Sequence, residues 1–159
     1  MSKRILILVR HAHRSKRFGS QADNGLSEKG NKQAGGILRH FLSRFAGLSA
    51  ADLELNSSPK LRCLQTVQPI AEVKCVKLKK LPCLGEGGDL PSMVSEFLSR
   101  WRRGTALVTV ACSHGDWIPE FLKLVTGAEG ILLDKGAWAE LDGQPDGSLR
   151  LRWVIQDWG

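Results

Sequence analysis

Long apolar runs are missing from this 159-residue chain. The two strongest, from Ile5 to Val9 and from Ala106 to Cys112, fall far short of the ~20 residues that a membrane-spanning helix needs. Arg10 and His11 close the first before a signal-peptide core can form, so a cytoplasmic protein with no membrane partner is expected. Cysteine is sparse, and Cys63, Cys75, Cys83 and Cys112 contain no Cys-x-x-Cys pair for zinc or redox chemistry, so free thiols are expected. No internal repeat, low-complexity tract or Pro/Ser linker divides the chain, which predicts one domain over residues 1–159. A Gly-x-x-x-x-Gly-Lys loop and a Cys-x5-Arg loop are both absent, which removes two common routes to phosphoryl transfer. Tyrosine is absent too, and five tryptophans take its place: Trp101 and Trp153 are expected in the core, Trp138 and Trp158 partly exposed, and Trp117 beside the pocket.

What remains is an ordinary globular composition, 42% hydrophobic and 25% charged. A chain this long buries enough surface to fold without a staple. Its 23 Lys plus Arg against 16 Asp plus Glu give a net charge of +7, which suits an anionic partner without naming one. No nucleic-acid motif and no basic stripe interleaved with aromatics accompanies the charge, so nucleic acid is not the expected partner.

Ile5–Val9 reads as a strand buried on both faces of a parallel sheet. Ser27 caps a helix whose Ala34, Ile37, Leu38, Phe41, Leu42 and Phe45 fall on one face, with Gly35 and Gly36 marking close packing or a weaker helix than the pattern implies. Leu53–Asn56 is a short strand, followed by a helix from Pro59 to about Val73 with Ser58 as its cap. Val73–Leu78 alternates as a partly exposed strand, Pro91–Arg103 is a helix, and Ala106–Cys112 is the second buried strand. A further helix runs to about Thr126, and Asp146-Gly147 turns a hairpin between 137–142 and 149–155. The predicted fold is α/β, a three-layer α/β/α sandwich with a mainly parallel sheet and a C-terminal antiparallel hairpin.

In open sheets of this kind ligands sit beyond the carboxyl ends of the strands. There the chain places Arg10-His11-Ala12-His13-Arg14, Ser57-Ser58-Pro59 with Arg62, and Ser113-His114-Gly115-Asp116. Arginine forks and helix N-termini suit a tetrahedral anion, and a histidine beside one can attack phosphorus or relay a proton. His11 is favoured as nucleophile because it directly follows a buried strand. His40 reads as structural, and Arg14, Lys16 and Arg17 as solvated charges or an extension of the recognition surface.

These residues carry a resemblance. Leu8-Val9-Arg10-His11-Ala12 resembles the Arg-His-Gly signature of the histidine phosphatase superfamily, with Ala12 in place of Gly. Ser58-Pro59 with Arg62, Gln65 and Thr66 resembles its Ser-Pro-x-x-Arg-x-x-Gln-Thr segment, Ser113-His114-Gly115 its Ser-His-Gly motif, and Leu26 to Gly30 the opening of its first long helix. Length and the Gly87-Gly88-Asp89-Leu90 segment look most like the SixA-type phosphohistidine phosphatases. The resemblance implies a phosphoglycerate mutase-like fold and a metal-independent, cofactor-free phosphatase. By similarity His11 carries a transient phosphoryl group, Arg10 and Arg62 clamp it, and His114 stabilises it. Ser58, Gly115 and His13 are the expected substrate-binding residues, and Glu86 the nearest general-acid candidate, with Asp116 and His13 behind it. The expected substrate is phosphohistidine on a partner protein, and the expected state a monomer. A general small-molecule phosphomonoesterase and a non-catalytic phosphate or nucleic-acid binding module are the alternatives.

Overall fold

The computed structural model describes residues 3–158. Six strands form one sheet in the order β3-β2-β4-β1-β5-β6. They are β1 (Ile5–Arg10), β2 (Leu53–Ser57), β3 (Leu78–Lys80), β4 (Val108–Ser113), β5 (Trp138–Gly143) and β6 (Leu149–Ile155). Four helices connect them: α1 (Glu28–Arg44), α2 (Leu61–Lys74), α3 (Leu90–Arg103) and α4 (Trp117–Thr126). The pairs β1–β4, β2–β4 and β2–β3 are parallel, whereas β5 runs antiparallel to β1 and to β6.

Alternation along β1 divides the core between two layers. Ile7 and Val9 face Ile37 and Phe41 of α1 and Val67 and Ile70 of α2. Leu6 and Leu8 face Phe97 of α3 and Trp117, Ile118 and Phe121 of α4. Helices therefore cover both faces, with β4 buried along its whole length and β1 from Leu6 to Val9.

Local signals explain most boundaries. Ser27 caps α1 by accepting from Gly30 N–H at 3.0 Å. Gly30 cannot be larger, because a Cβ there would collide with the carbonyl oxygen of His13. Gly36 marks close packing, since a Cβ there would lie 2.7 Å from Cβ of Trp158, but Gly35 does not, since a Cβ there would meet only Arg39 Nη1 at 3.4 Å. Gly147, at φ +84°, turns the β5–β6 hairpin.

Several expectations are corrected. Helix α2 begins at Leu61, not Pro59, and Lys60 at its cap gives no side-chain bond; the Leu61 N–H is taken instead by Asp23 Oδ1 at 3.0 Å. The strand expected over Val73–Leu78 is shorter and later, Leu78–Lys80, because α2 runs on to Lys74 and ends at Cys75 in the left-handed region, φ 54°. Trp138 is fully buried, while Trp153 is exposed on the edge strand between Arg44 and Arg152. No helix of the described residues is long and apolar enough to cross a membrane.

Candidate active site

Register brings the motifs together. Arg10 pairs with Ser113 and Ser57 with Cys112, so three strands end level at one edge of the sheet. The ladder continues one residue further, with His11 N–H donating to Ser113 O at 3.0 Å and Ser58 N–H to Cys112 O at 2.9 Å. The chain also switches sides here: it runs outward from β1 to β2 and β3, returns through β4, and then continues on the far side of β1. Such a switch point opens a crevice at the carboxyl ends of β1 and β4.

His11 is buried, and its Nδ1 lies 2.8 Å from Ala12 O. A carbonyl only accepts, so Nδ1 carries the proton and Nε2 keeps its lone pair. Burial is the main cause that pushes the His11 pKa down to about 3; the bond to Ala12 O pulls the other way, and Arg62, His114 and Arg10 add to the fall. At neutral pH the imidazole is therefore uncharged and able to attack.

Arg10 donates from Nη1 to Leu133 O at 2.6 Å. Gly115 makes room for it, since a Cβ at 115 would lie 2.7 Å from Arg10 Cζ. Arg62 is buried on the first turn of α2 and donates from Nη2 to Glu86 Oε1 at 2.5 Å. The Nε atoms of both arginines are buried and find no acceptor among the described residues. Two orphaned guanidinium donors beside a neutral histidine suit a tetrahedral anion.

His114 is buried 5.4 Å from His11, centroid to centroid. Its Nε2 lies 2.8 Å from Ser58 Oγ and its Nδ1 3.4 Å from Glu86 Oε2. The same Nδ1 lies 3.4 Å from Arg62 Nη2, so His114 sits between the Ser58 hydroxyl on one side and the Arg62–Glu86 pair on the other. Ser58, expected to touch substrate, is fully buried and engaged with His114, so here it orients that ring.

Glu86 reaches the site because its loop is fastened to the β4–α4 corner. Ser113 Oγ donates to Leu84 O at 2.6 Å, Trp117 Nε1 to Cys83 O at 2.6 Å, and Gly87 N–H to Asp116 Oδ2 at 3.2 Å. These bonds show what two of the neighbouring residues do. Trp117, expected beside the pocket, is buried and supports the loop without walling a pocket, and Asp116, a candidate acid, accepts from the backbone of the Glu86 loop. Burial opposes ionisation of Glu86, but the Arg62 bond, with His114 and Lys60 nearby, outweighs it and holds the carboxyl below its usual range.

The remaining motif residues position the loop after β1. Thr66 Oγ1 accepts from Ala12 N–H at 2.9 Å, and Gln65 Oε1 from Leu26 N–H at 2.7 Å. Ala12 has no positive φ, so alanine stands there without backbone strain. His13 is half-buried at the rim, its Nδ1 2.7 Å from Ser27 Oγ. Cys63, given no role by the sequence, lies with Sγ 3.5 Å from His114 Nε2. Burial would raise its thiol pKa, yet Cys112, His114 and Arg62 together lower it. His40 packs between Trp138 and Trp158, as a structural residue should. Among the described residues no cluster of three or more His, Cys, Asp or Glu side chains is placed to hold a metal ion.

This arrangement has known counterparts. The structure of protein histidine phosphatase SixA complexed with tungstate superimposes with a TM-score of 0.75 at 17% identity, covering 96% of each chain. Phosphoserine phosphatase from Entamoeba histolytica gives 0.71 at 19%, covering 97% of this chain and 96% of that one. Mycobacterial glucosyl-3-phosphoglycerate phosphatase gives 0.73 at 17%, covering 94% and 97%. No curated protein sequence matches the chain. The family model of the histidine phosphatase superfamily (branch 1) matches residues 6–105, the stretch that holds β1 with Arg10 and His11, Arg62 and Glu86. The chain belongs to the histidine phosphatase superfamily, branch 1.

Proposed function

We propose that the protein is a phosphomonoesterase that passes the phosphoryl group through a covalent phosphohistidine at His11, with Glu86 as the acid for the leaving oxygen. The observation that carries this reading is Glu86 itself, with its carboxylate on Arg62 and 3.4 Å from His114 Nδ1. Without substrate Arg62 keeps that carboxylate ionised. A phosphoryl dianion seated on Arg10 and Arg62 neutralises this pull and adds like-charge repulsion, so Glu86 takes up a proton as substrate binds. Its side chain, 41% exposed, can draw that proton from solvent.

The lone pair of His11 Nε2 forms the bond to phosphorus as the ester P–O bond breaks, and the Glu86 proton moves to the departing oxygen. The two arginines and His114 meet charge on the equatorial oxygens. Water then attacks phosphorus, gives its proton to Glu86, and the P–N bond breaks to return His11 with its lone pair. Throughout, Nδ1–H stays on Ala12 O. Free thiols at Cys63, Cys83 and Cys112, buried and unpaired with one another, support a cytoplasmic setting.

Protein phosphohistidine is the second reading, supported by the likeness to SixA and by the exposed Gly87, Gly88 and Asp89 at the mouth, which leave access for a large substrate. An imidazole leaving group needs an acid far less than an alkoxide does. Phosphate release from an alkyl phosphate such as glycerol 3-phosphate and from a phosphohistidine-bearing protein separates the two. Glu86→Gln is expected to lower kcat for the ester by ~10²-fold or more while sparing the P–N substrate, and His11→Ala to abolish both. Full ester turnover in Glu86→Gln refutes the acid role; release from phosphohistidine alone in the native chain hands the function to the second reading.

A further inference from the structure

Phosphoryl transfer through His11, the two arginines and Glu86 leaves one buried nucleophilic group of the site without a task, the thiol of Cys63. Cys63 follows Arg62 on the first turn of α2 and has no exposed surface. Its Sγ has two acceptors within reach, Ser113 O at 3.7 Å and His114 Nε2 at 3.5 Å. The carbonyl can only share the thiol hydrogen, whereas an imidazole nitrogen can take the proton outright.

The surroundings favour that transfer. Cys63 is the third residue of α2, where free backbone amides and the positive end of the helix dipole stabilise a thiolate, and Arg62 stands beside it. Burial opposes a charge on sulfur, but Cys112, His114 and Arg62 outweigh it and bring the Cys63 thiol down to about 6. Cys112 moves the other way, held up by burial and by Cys63, so it stays a thiol. On the imidazole side, Ser58 Oγ lies 2.8 Å from Nε2 and accepts Lys60 N–H at 3.3 Å; a hydroxyl has a second lone pair for Nε2–H.

The other charged or titratable groups that face His114 are Arg62 and Glu86, each 3.4 Å from Nδ1, and His11, 5.4 Å away between ring centroids. Two imidazoles this close do not both ionise readily, and positive charge on His114 helps to keep His11 neutral. Glu86 stops balancing that charge when it takes up its proton as the acid. Cys63, on the opposite edge of the ring and sealed from solvent, does not.

We propose that Cys63 is a positioning residue that sets the charge of His114: its proton passes to Nε2, and the buried thiolate–imidazolium pair presents a positive ring to the phosphoryl group. The S–H bond breaks with its electrons left on sulfur, the Nε2 lone pair forms the new N–H bond, and nothing is oxidised or reduced. The inference rests on the phosphomonoesterase reading for the reacting group, and its first readout is independent of that reading.

That readout is ultraviolet absorbance without substrate. Native minus Cys63→Ala should show one thiolate already formed at neutral pH, and in His114→Gln, which lacks the imidazole, the Cys63 thiolate should appear at least about one pH unit higher. The second readout is the pH profile of kcat for dinitrophenyl phosphate, whose leaving group needs no acid, so Glu86 does not shape it. In Cys63→Ala and in Cys63→Ser the alkaline limb should move down by about one pH unit, a ~10-fold loss on that limb, with KM little changed. Serine nearly fills the space of the thiol but does not ionise in this range, so it would rescue a packing role and not this one. A native chain with no thiolate at neutral pH, or a folded Cys63→Ser variant whose profile coincides with the native one, overturns the inference. A thiolate in a native chain with no His11-dependent phosphate release refutes the phosphomonoesterase reading instead and leaves the ion pair standing.

Discussion

Gly115→Ala tests whether Arg10 is aimed at the reacting group. The added Cβ would lie 2.7 Å from Arg10 Cζ and 2.9 Å from both Nε and Nη2. Ordinary carbon contact begins near 3.4 Å, so the guanidinium must retreat by about 0.7 Å. The obstacle is the far end of a flexible side chain, and Gly115 has no positive φ, so folding is disturbed little. Replacing glycine by alanine at a compatible backbone position even stabilises by roughly 0.4–1 kcal/mol through the unfolded chain. Catalysis has no such tolerance: misplacing a positioning group by about 1 Å can cost about 10²-fold in rate, or roughly 2.7 kcal/mol of transition-state stabilisation. The expected variant therefore unfolds at the native midpoint or slightly above it and hydrolyses an aryl phosphate about a hundred times more slowly. Native kinetics in a folded variant would show that Arg10 makes no contact that matters in the transition state. A collapse of the midpoint would show that the space beside Arg10 cannot adjust.

Thr66→Val keeps the shape of the side chain but removes the acceptor of the buried Ala12 N–H, and chemical denaturation should register a loss of about 1–3 kcal/mol. The pH dependence of stability carries the signature of His11, with an ordinary pKa of 6.5 in the unfolded chain and about 3 in the fold. Between those values the unfolded chain binds the extra proton, so this contribution is complete above pH 6.5 and drains away as pH falls toward 3. His11→Asn should flatten the decline across that window, and equal slopes would mean that the native ring is not held neutral. Ser58→Ala removes the hydroxyl at His114 Nε2 and should lower kcat for an aryl phosphate by about tenfold with KM little changed; unaltered kcat would mean that His114 holds its orientation unaided.

The strand ends were readable because each buried strand is a continuous apolar run followed abruptly by charge, as Ile5–Val9 is by Arg10 and His11. Parallel pairing then aligns those ends without any further signal. Glu86 was only a candidate, because what draws it inward comes from Ser113, Asp116 and Trp117, each about 30 residues away along the chain. No local pattern encodes such bonds. The same limit explains the tryptophans. Alternation assigns residues to the two faces of a strand but does not say which face a helix covers. Trp138 on interior β5 lies against His40 of α1, and Trp153 on edge strand β6 lies between Arg44 and Arg152. Gln65 and Thr66 were legible as part of a motif but not in their role, since their targets at Leu26 and Ala12 lie on another element.

The latch from α2 to the loop after β1 links the site's local stability to a single helix. The amides of Ala12 and Leu26 are held by side chains of Thr66 and Gln65, and the same turn of helix carries Arg62. Any fluctuation that frays the start of α2 frees those two amides, loosens the loop that carries His11 and displaces Arg62 in one event. Hydrogen exchange at Ala12 and Leu26 thus follows the opening of α2 rather than that of β1, although Ala12 directly extends the strand. The loop that carries His11 and the helix that carries Arg62 are therefore expected to open together, while Arg10 stays with β1 and Leu133 O.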